Sequence, residues 1–280
     1  MLIGVLAGVA LAAAVLICCF GNVVGPDWLW ACPVSFLGCF LALLLAAFLF
    51  LLYLCRRVDL SVPQEWDDPL YRTVANLYIR SALPVLGIRT RETGLEKVPK
   101  EGRFLLVCNH TNDSDPILLL RSLPEHQLAF ISKRENRNMF VIGPMMHKLQ
   151  CQLINRENDR EALKTILECI RILKEDRASI AVFPEGGIDD DGLLHKFRPG
   201  VFKIAQKAGV PIVVCTLKNT KPVIHNIKHL RGTNVELNVL EVIPPEELKG
   251  VTTVDIAHRV HRLMAQDLGP ELVAQEEWPV

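Results

Sequence analysis

The first 55 residues of this 280-residue chain almost lack charge, because Asp27 is the only charged side chain before Arg56. This part contains two apolar runs, residues 2–20 and 33–55, each with about the 20 residues that a helix needs to cross a bilayer. A short Gly/Pro/Asp segment between them, residues 21–31, carries tryptophans that suit a membrane interface. We therefore predict an N-terminal hairpin of two transmembrane helices.

The orientation of this hairpin is predicted from the basic residues beside it. Arg56 and Arg57 follow the second run, and basic residues that flank a membrane helix stay on the cytoplasmic side. The N-terminus and the large following domain are therefore expected in the cytoplasm. A cleaved signal peptide is an alternative for the first run, but that run lacks a basic leading region and a second apolar run follows it. A hairpin that dips into one leaflet without crossing is a further alternative.

The chain also lacks an excess of charge of either sign, with 31 Lys and Arg and 31 Asp and Glu. This balance does not favour nucleic-acid binding. None of the nine cysteines forms a Cys-x-x-Cys pair, so zinc and redox chemistry are not indicated, and buried reduced thiols are expected. There are no internal repeats, and the Gly-x-Ser-x-Gly turn of serine hydrolases does not occur.

The sequence divides into a membrane-anchoring hairpin at residues 1–57 and one domain at residues 58–280, long enough for a full core. Strand-like and helix-like runs alternate in the domain, which predicts an α/β fold with a mostly parallel sheet flanked by helices. Strands are predicted at residues 104–108, 128–132, 151–154, 179–183, 211–216 and 235–243, and helices at 69–83, 116–122, 139–148, 159–175, 200–208 and 254–267.

His110 and Asp115 stand in the stretch Asn-His-Thr-Asn-Asp-Ser-Asp-Pro, between a predicted strand and the proline that begins a predicted helix. A carboxylate close to a histidine fixes the tautomer of the imidazole and stabilises its protonated form, which leaves the other ring nitrogen for a substrate. This spacing predicts a general base and its orienting partner. It also fits an ordinary turn in which Asp115 caps the helix.

Arg156 follows the predicted strand at residues 151–154. In a mostly parallel sheet, active sites collect at the carboxyl ends of the strands. The planar guanidinium of an arginine at this position suits a phosphate group. A solvated surface arginine is an equally good interpretation of the local sequence.

Glu185, Gly186 and Gly187 form a turn at the end of another predicted strand. Glycines permit close approach of the backbone to a ligand, and their amides suit a phosphate or a developing oxyanion. Lys196 and Arg198 add two cations a few residues later. Taken alone, this turn is also compatible with a purely structural role.

The order of these motifs resembles the four sequence blocks of the glycerolipid acyltransferase family, and its lysophosphatidate acyltransferases are the most similar. The blocks are Asn-His-x4-Asp-Pro at residues 109–116, Ile-x-Arg at 154–156, Phe-Pro-Glu-Gly at 183–186 and Gly-Val-Pro-Ile-Val at 209–213. Four blocks in this order are far more specific than any one alone. The resemblance covers roughly residues 70–245.

The resemblance implies transfer of a fatty acyl group from a thioester, acyl-CoA or acyl carrier protein, to the hydroxyl of lysophosphatidate, which gives phosphatidate for phospholipid synthesis. In family terms His110 is the general base and Asp115 its partner. The residues expected at the acceptor site are Arg156, Glu185, Gly186, Gly187, Lys196 and Arg198. No metal or other cofactor is expected, because a thioester is already activated. The expected partners are membrane lipids and the acyl donor, and no nucleic acid.

Two departures from the family pattern bear on the acceptor. Family members commonly carry Ser at the position of Asn112, and Gly-Thr-Arg-Ser where this chain has Gly-Gly-Ile-Asp after Pro-Glu. The run Asp189-Asp-Asp191 adds negative charge near the expected phosphate site. It is interpreted either as a solvated acidic loop or as a sign of a less anionic acceptor. The rival hypotheses are therefore a relative with another lipid acceptor and a catalytically silent lipid-binding protein of the same fold.

Overall fold

The computed structural model describes residues 2–21, 23, 25–155 and 157–275 of the chain. The backbone forms two compact units, Met1–Val62 and Pro63–Val280. The first unit holds the apolar helices, and the second holds the sheet and all the motifs discussed above.

The first unit contains helices α1 (Leu2–Phe20) and α2 (Trp28–Arg56), both apolar and long enough to cross a membrane. The buried residues of α1 are small and lie four apart, at Ala10, Ala14 and Cys18. Small residues at this spacing let two helices approach closely, and α1 packs against α2. The second helix begins five residues before the predicted start. Pro33 is not the first residue of the helix. It lies inside α2, where the absence of its backbone N–H removes one helical hydrogen bond.

The second unit alternates strands and helices along the chain. The strands are β1 (Ile88–Thr93), β2 (Leu105–Cys108), β3 (Leu128–Lys133), β4 (Gln152–Ile154), β5 (Ser179–Val182), β6 (Ile212–Lys218) and β7 (Thr233–Ile243). The helices are α3 (Pro69–Val85), α4 (Asp115–Ser122), α5 (Ile142–Lys148), α6 (Asp159–Lys174), α7 (Lys203–Ala208), α8 (Val223–Lys228) and α9 (Thr253–Leu268). Each predicted strand and helix is confirmed, with ends that differ by three residues or fewer.

The strands form one seven-stranded sheet in the order β1-β7-β6-β2-β5-β3-β4. All neighbours are parallel except β6 and β7, so the predicted mostly parallel sheet is confirmed. Because β1 and β7 run against the other five strands, their first residues lie at the same edge as the last residues of β2, β3, β4, β5 and β6. This edge is called the carboxyl edge below.

Both faces of the central strands are buried. Leu105 and Val107 of β2 point into a core shared with α6, α7 and α9, whereas Leu106 and Cys108 point into a core shared with α3 and α4. A strand that is buried on both sides reads as a continuous apolar run, which explains why the sequence predicts β2 well.

Two elements of this unit were not predicted. Strand β1 has the sequence Ile-Arg-Thr-Arg-Glu-Thr, and only Ile88 in it is buried, because β1 is an edge strand with a solvated face. Helix α8 has only six residues, too few for a helical period to be recognised. Both lie at the end of the sheet where the chain reverses direction.

Candidate active site

The connections that leave β2 and β5 run in opposite directions along the sheet. Strand β2 continues through α4 to β3, and β5 continues through α7 to β6. Helices α4 and α7 pack on opposite faces. Ligands of open α/β sheets bind outside the carboxyl ends of the strands. The space at this edge between the turn after β2 and the loop after β5 is called the crevice below. The pairing of Val107 with Val182 brings the residues that follow the two strands, among them His110 and Glu185, beside each other.

The His110 ring is held by a buried carboxylate. Its Nδ1 atom lies 2.9 Å from Oδ2 of Asp115, which is fully buried at the start of α4. The same oxygen accepts the amide N–H groups of Thr111 at 2.8 Å and Asn112 at 2.9 Å. These bonds go to the turn before α4 rather than to the amides of α4. The carboxylate therefore orients the imidazole and leaves Nε2 for a substrate.

The turn that carries His110, residues 109–115, is hydrogen-bonded to β6 and to the loop after it; β6 is the other neighbour of β2. Asn109 donates from Nδ2 to the carbonyl of Leu217 at 2.9 Å and accepts the Leu217 amide at 2.8 Å. Asn112 accepts the Ser114 amide at 3.0 Å and donates to the carbonyl of Lys221 at 3.1 Å. Neither role was predicted, although an amide side chain directly after a buried strand is a recognisable signal for such a clamp. The two asparagines fix the backbone on both sides of His110.

An aromatic ring is stacked against the imidazole of His110. The rings of His110 and Phe183 are stacked, with centroids 4.0 Å apart and planes inclined by 15°. Phe183 is in turn stacked against Phe130 at 6.2 Å. Together with Asp115, this stacking restricts the imidazole to one orientation. The role of Phe183 was not predicted, because an aromatic residue at a strand end is ordinarily core.

The Glu185 carboxylate holds two backbone segments together. Its Oε1 accepts the amide of His110 at 2.8 Å, and its Oε2 accepts the amide of His195 at 3.1 Å. Burial raises the pKa of Glu185 to about 7, against the lowering effect of these two amide bonds. The side chain thus ties the turn after β2 to the loop after β5, and both of its oxygens are occupied by protein donors.

Gly186 and Arg198 are in direct contact. Gly186 has a φ of +82°, and a Cβ there would collide with the guanidinium Nε of Arg198. The Gly186 amide donates to the carbonyl of Phe183 at 3.1 Å, so this N–H is engaged in the turn. Gly187 follows as a half-buried bend. The turn therefore seats the exposed Arg198 side chain beside the crevice.

The acidic run folds into a loop that is partly neutralised. Asp191 lies 3.0 Å from Nε2 of His195, and its carbonyl accepts Nζ of Lys221 at 2.5 Å. The amide of Leu193 and the His195 side chain lower the pKa of Asp191. The Lys196 side chain is exposed in the same loop. The Asp191 carboxylate is therefore held against His195, whereas Asp189 and Asp190 are exposed.

The second predicted block is less close to the histidine. Arg156 lies outside the described residues. Asn155, just before it, follows β4, which is three strands away from β2 and therefore about 14 Å distant at the usual strand spacing. Asn155 accepts the amide of Glu157 and donates to Glu161 at 3.0 Å. The block therefore lies at the carboxyl edge, beside β4, which is the last strand of the sheet.

No thiol near the histidine is activated. All nine cysteines are free, and Cys108 and Cys215 are paired neighbours on β2 and β6. Burial raises the pKa of the Cys108 thiol well above its ordinary value, which disfavours a thiolate nucleophile. Within the described residues, no group of three or more His, Cys, Asp or Glu side chains converges on one point. Among these side chains, the His110 imidazole is the one that a buried carboxylate holds in place.

The chain is similar in sequence to known acyltransferases. Residues 89–218 match the family model described as Acyltransferase. A probable 1-acyl-sn-glycerol-3-phosphate acyltransferase of Mycoplasma pneumoniae is 24% identical over 218 residues, which are 74% of this chain and 81% of that protein. The human 1-acyl-sn-glycerol-3-phosphate acyltransferase beta is 27% identical over 204 residues, which are 69% of this chain and 71% of that protein.

One solved structure is similar in fold. The crystal structure of the 1-acyl-sn-glycerophosphate (LPA) acyltransferase PlsC from Thermotoga maritima has a TM-score of 0.59 at 23% identity, covering 78% of this chain and 85% of that chain. Residues 89–218 therefore form an α/β domain that matches the acyltransferase model. The chain resembles the glycerolipid acyltransferases in sequence, as its four sequence blocks indicated, and the similarity to these relatives identifies it as an enzyme.

Proposed function

We propose that this enzyme transfers a fatty acyl group from acyl-CoA or acyl carrier protein to the free hydroxyl of lysophosphatidate, forming phosphatidate. The observation that carries the proposal is the hydrogen bond between His110 and the buried Asp115 at the reversal of the sheet. The names of the similar proteins from Mycoplasma pneumoniae and human support lysophosphatidate as the acceptor.

His110 acts as the general base. Its Nε2 takes the proton of the acceptor hydroxyl while that oxygen attacks the thioester carbonyl carbon. The tetrahedral intermediate then collapses, the C–S bond breaks, and the leaving thiolate takes the proton back from the imidazolium. A positioned base with a pKa near neutrality contributes on the order of 100- to 10,000-fold in rate. Asp115 stabilises the imidazolium that forms between the two steps.

Glu185 is a positioning residue in this mechanism. Both of its oxygens accept backbone amides, one of them from His110 itself, so the carboxylate holds the base in register with the loop after β5. A carboxylate would repel the acceptor phosphate. The phosphate is therefore assigned to the cations at the crevice, Arg198 and Lys196, and to Arg156 in the second block.

Membrane attachment through α1 and α2 fits this chemistry. Both helices are long and apolar enough to span a bilayer, and the acceptor is a membrane lipid. Arg56 and Arg57 directly follow the second helix, which supports a cytoplasmic location of the catalytic unit, where soluble thioester donors are available.

The test is an acyl-transfer assay on the purified full chain in lipid vesicles, with product masses measured for a panel of lysophospholipid acceptors and both donor types. The expected product is phosphatidate, formed fastest from lysophosphatidate. His110→Ala is expected to lower turnover at least about 100-fold. Its matched control is His258→Ala, a half-buried histidine in the first half of α9.

Two outcomes contradict the proposal. Equal turnover by His110→Ala and the parent chain would remove the base. Faster acylation of a lysophospholipid with a zwitterionic or neutral headgroup would replace lysophosphatidate as the acceptor and would assign a selective role to the acidic run at residues 189–191.

A further inference from the structure

We propose that the second unit contains a docking surface for an anionic phospholipid bilayer, made of three loops at the carboxyl edge. Counted with the ends of the elements that flank them, these loops are residues 84–91, from the end of α3 into β1, residues 139–142, which lead into α5, and residues 224–232, from α8 to the start of β7. The proposal rests on the proposed function, since a lipid acceptor must reach His110 from the membrane. It adds a second attachment to the one assigned to the apolar helices α1 and α2.

The topology of the sheet brings these loops to one edge. Because β1 and β7 run against the other strands, the loops that lead into them lie beside the ends of β6 and β2. The loop after β3 lies on the other side of β2 and β5. Exposed loops therefore flank the His110 crevice on both sides.

All three loops expose large apolar side chains. Leu230 is 98% exposed, Val85 67% and Phe140 55%, and Leu86 and Met139 are also exposed. Among the described residues, the loops that lead into β2, β3, β5 and β6 at the opposite edge expose no large hydrophobic side chain. A single exposed leucine is ordinary in a folded protein. Several exposed apolar side chains at one edge of the sheet, around a site for lipid substrates, indicate an interaction surface.

The conformation of Leu230 adds to this observation. Its φ is 54°, a left-handed region that glycine or asparagine adopts at lower cost. The turn is built by the amides of Leu230 and Arg231, which donate to the carbonyls of Ile227 at 3.1 Å and Asn226 at 2.8 Å. The fold thus projects an apolar side chain into solvent at a position where a polar residue would fit the backbone better.

The charges around these side chains are those that an anionic surface attracts. Residues 84–91 and 224–232 together contain four Lys and Arg and no Asp or Glu. A groove of about 450 Å³ beside the first loop is lined by Arg89 and Arg121. Across the described part of the chain, neither of these arginines nor Arg231 has a carboxylate partner. Apolar tips with basic neighbours are typical of segments that insert into the headgroup region.

The opposite edge of the sheet also has an exposed aromatic residue, but the residues next to it in the chain are acidic rather than basic. Trp66 is 60% exposed, and the adjacent carbonyl of Glu65 accepts Arg177, which precedes β5, so Trp66 lies at that edge. Its neighbours are Glu65, Asp67 and Asp68. Asp67 is paired with Arg72 and Asp68 with Lys148, so the segment offers no excess of positive charge to an anionic bilayer, which favours the carboxyl edge as the membrane side.

The docking surface is linked directly to the turn that carries His110. Thr111 and Thr220 share a hydrogen bond of 2.6 Å between their hydroxyls, and Asn112 donates to the carbonyl of Lys221. Residues 220 and 221 continue into α8 and then into Leu230. Insertion of this loop would bring the crevice to the lipid surface, where the acceptor hydroxyl lies.

The direct test is photocrosslinking of the full chain in vesicles of phosphatidylcholine with phosphatidylglycerol. The photoreactive residue p-benzoylphenylalanine replaces Leu230, and in separate controls it replaces Val251 or Trp66. Mass spectrometry is expected to detect phospholipid adducts at position 230 and few at 251 or 66. Adduct yields at 230 no higher than at 251, or adducts at 66 alone, would overturn the proposal. This readout does not depend on turnover, so it stands apart from the acyltransferase assay.

A kinetic test separates docking from catalysis. The double variant Leu230→Gln with Arg231→Gln is expected to acylate a long-chain acceptor in anionic vesicles at least about fivefold more slowly than the parent chain. It should turn over a short-chain, water-soluble acceptor at the parent rate. The matched control is Val251→Gln with Lys249→Gln, at the opposite edge. Equal losses with both acceptors would assign the loop to folding or catalysis instead of docking.

Discussion

Three carboxylates near the crevice have different tasks, and their surroundings decide which. Asp115 is fully buried and bound to the His110 ring, so it orients the base. Glu185 is largely buried and accepts backbone amides only, and burial raises its pKa to about 7. Asp191 is exposed, and the Leu193 amide and His195 lower its pKa. The same chemical group, a carboxylate, thus holds a histidine ring at Asp115, joins two backbone segments at Glu185 and stabilises a loop at Asp191.

The first prediction at the residue scale concerns Asp115→Asn. The amide would present a donor or a weaker acceptor to the His110 ring and would not stabilise an imidazolium. We expect kcat to fall about 100- to 10,000-fold with little change in KM. Asp113→Asn is the matched control, because Asp113 is the exposed neighbour in the same turn. Parent-like kcat in Asp115→Asn would show that the hydrogen bond is structural.

The second prediction concerns the titration of Glu185. Its pKa of about 7 in the folded protein lies above its ordinary value of 4.5, so the folded state binds this proton more tightly than the unfolded state. The stability difference is fully present below pH 4.5 and is lost as pH rises to about 7, at a cost on the order of 3 kcal/mol.

Thermal unfolding of the full chain in detergent, compared with Glu185→Gln, measures this difference. The Tm of the parent chain relative to the variant should fall as pH rises from about 5 to 8. Because glutamine does not titrate, all other titrating groups contribute equally to the two chains, and the difference in Tm reports Glu185 alone. A difference in Tm that is independent of pH would contradict a raised pKa.

At the same scale, the sequence indicated which residues belong to the site better than it indicated which contacts they make. The His110 and Asp115 pairing follows from spacing, because five residues of turn suffice to join the two side chains. The contacts of Glu185 do not, since they depend on the alignment of β2 with β5, two strands separated by 71 residues in the chain, from Cys108 to Ser179. The stacking of Phe183 under the imidazole depends on the same alignment.

At the scale of elements, prediction succeeded where apolar residues mark a strand and failed at β1, where they do not. Strands β2, β5 and β6 are buried on both faces and read as apolar runs. Strand β1 contains two arginines and a glutamate, and it is a strand because β7 pairs with it along its whole length. Backbone pairing of this kind leaves no period in the sequence.

Two glycines with the same φ give a prediction for the attachment of β1. Gly94 follows β1 with φ +74°, and a Cβ there would collide with the backbone carbonyl of Val239 in β7. Gly102 has φ +76° and open space around it. Gly102→Ala should cost about 1 kcal/mol from strain alone, and Gly94→Ala at least about 2 kcal/mol more, because backbone must move.

Thermal unfolding of the two variants in parallel is the measurement. A difference of 2 kcal/mol corresponds to roughly 4 to 8 °C in Tm for a domain of this size. Because Gly102→Ala carries the same conformational strain, it isolates the steric contribution of β7. Equal Tm losses in the two variants would mean that the turn after β1 can shift away from β7.

At the scale of the whole molecule, the two apolar helices have unequal lengths. Helix α1 has 19 residues and α2 has 29, which correspond to about 28 Å and 44 Å at 1.5 Å per residue. The hydrocarbon core of a bilayer is about 30 Å thick, so α1 is just long enough to span it and α2 is longer than it. Trp28 and Trp30 stand at one end of α2 and Arg56 at the other, which are the residues expected at the two interfaces.

These lengths predict a hairpin that crosses the bilayer, with its connection on the side opposite the catalytic unit. An epitope tag inserted after Gly25 should resist protease added to sealed vesicles whose cytoplasmic face is outward. A tag inserted after Gly102, in an exposed turn of the catalytic unit, should be digested in the same vesicles. Detergent should make both tags accessible. Digestion of the first tag without detergent would mean that the hairpin re-enters one leaflet, and the 44 Å of α2 would then have to lie oblique to the membrane.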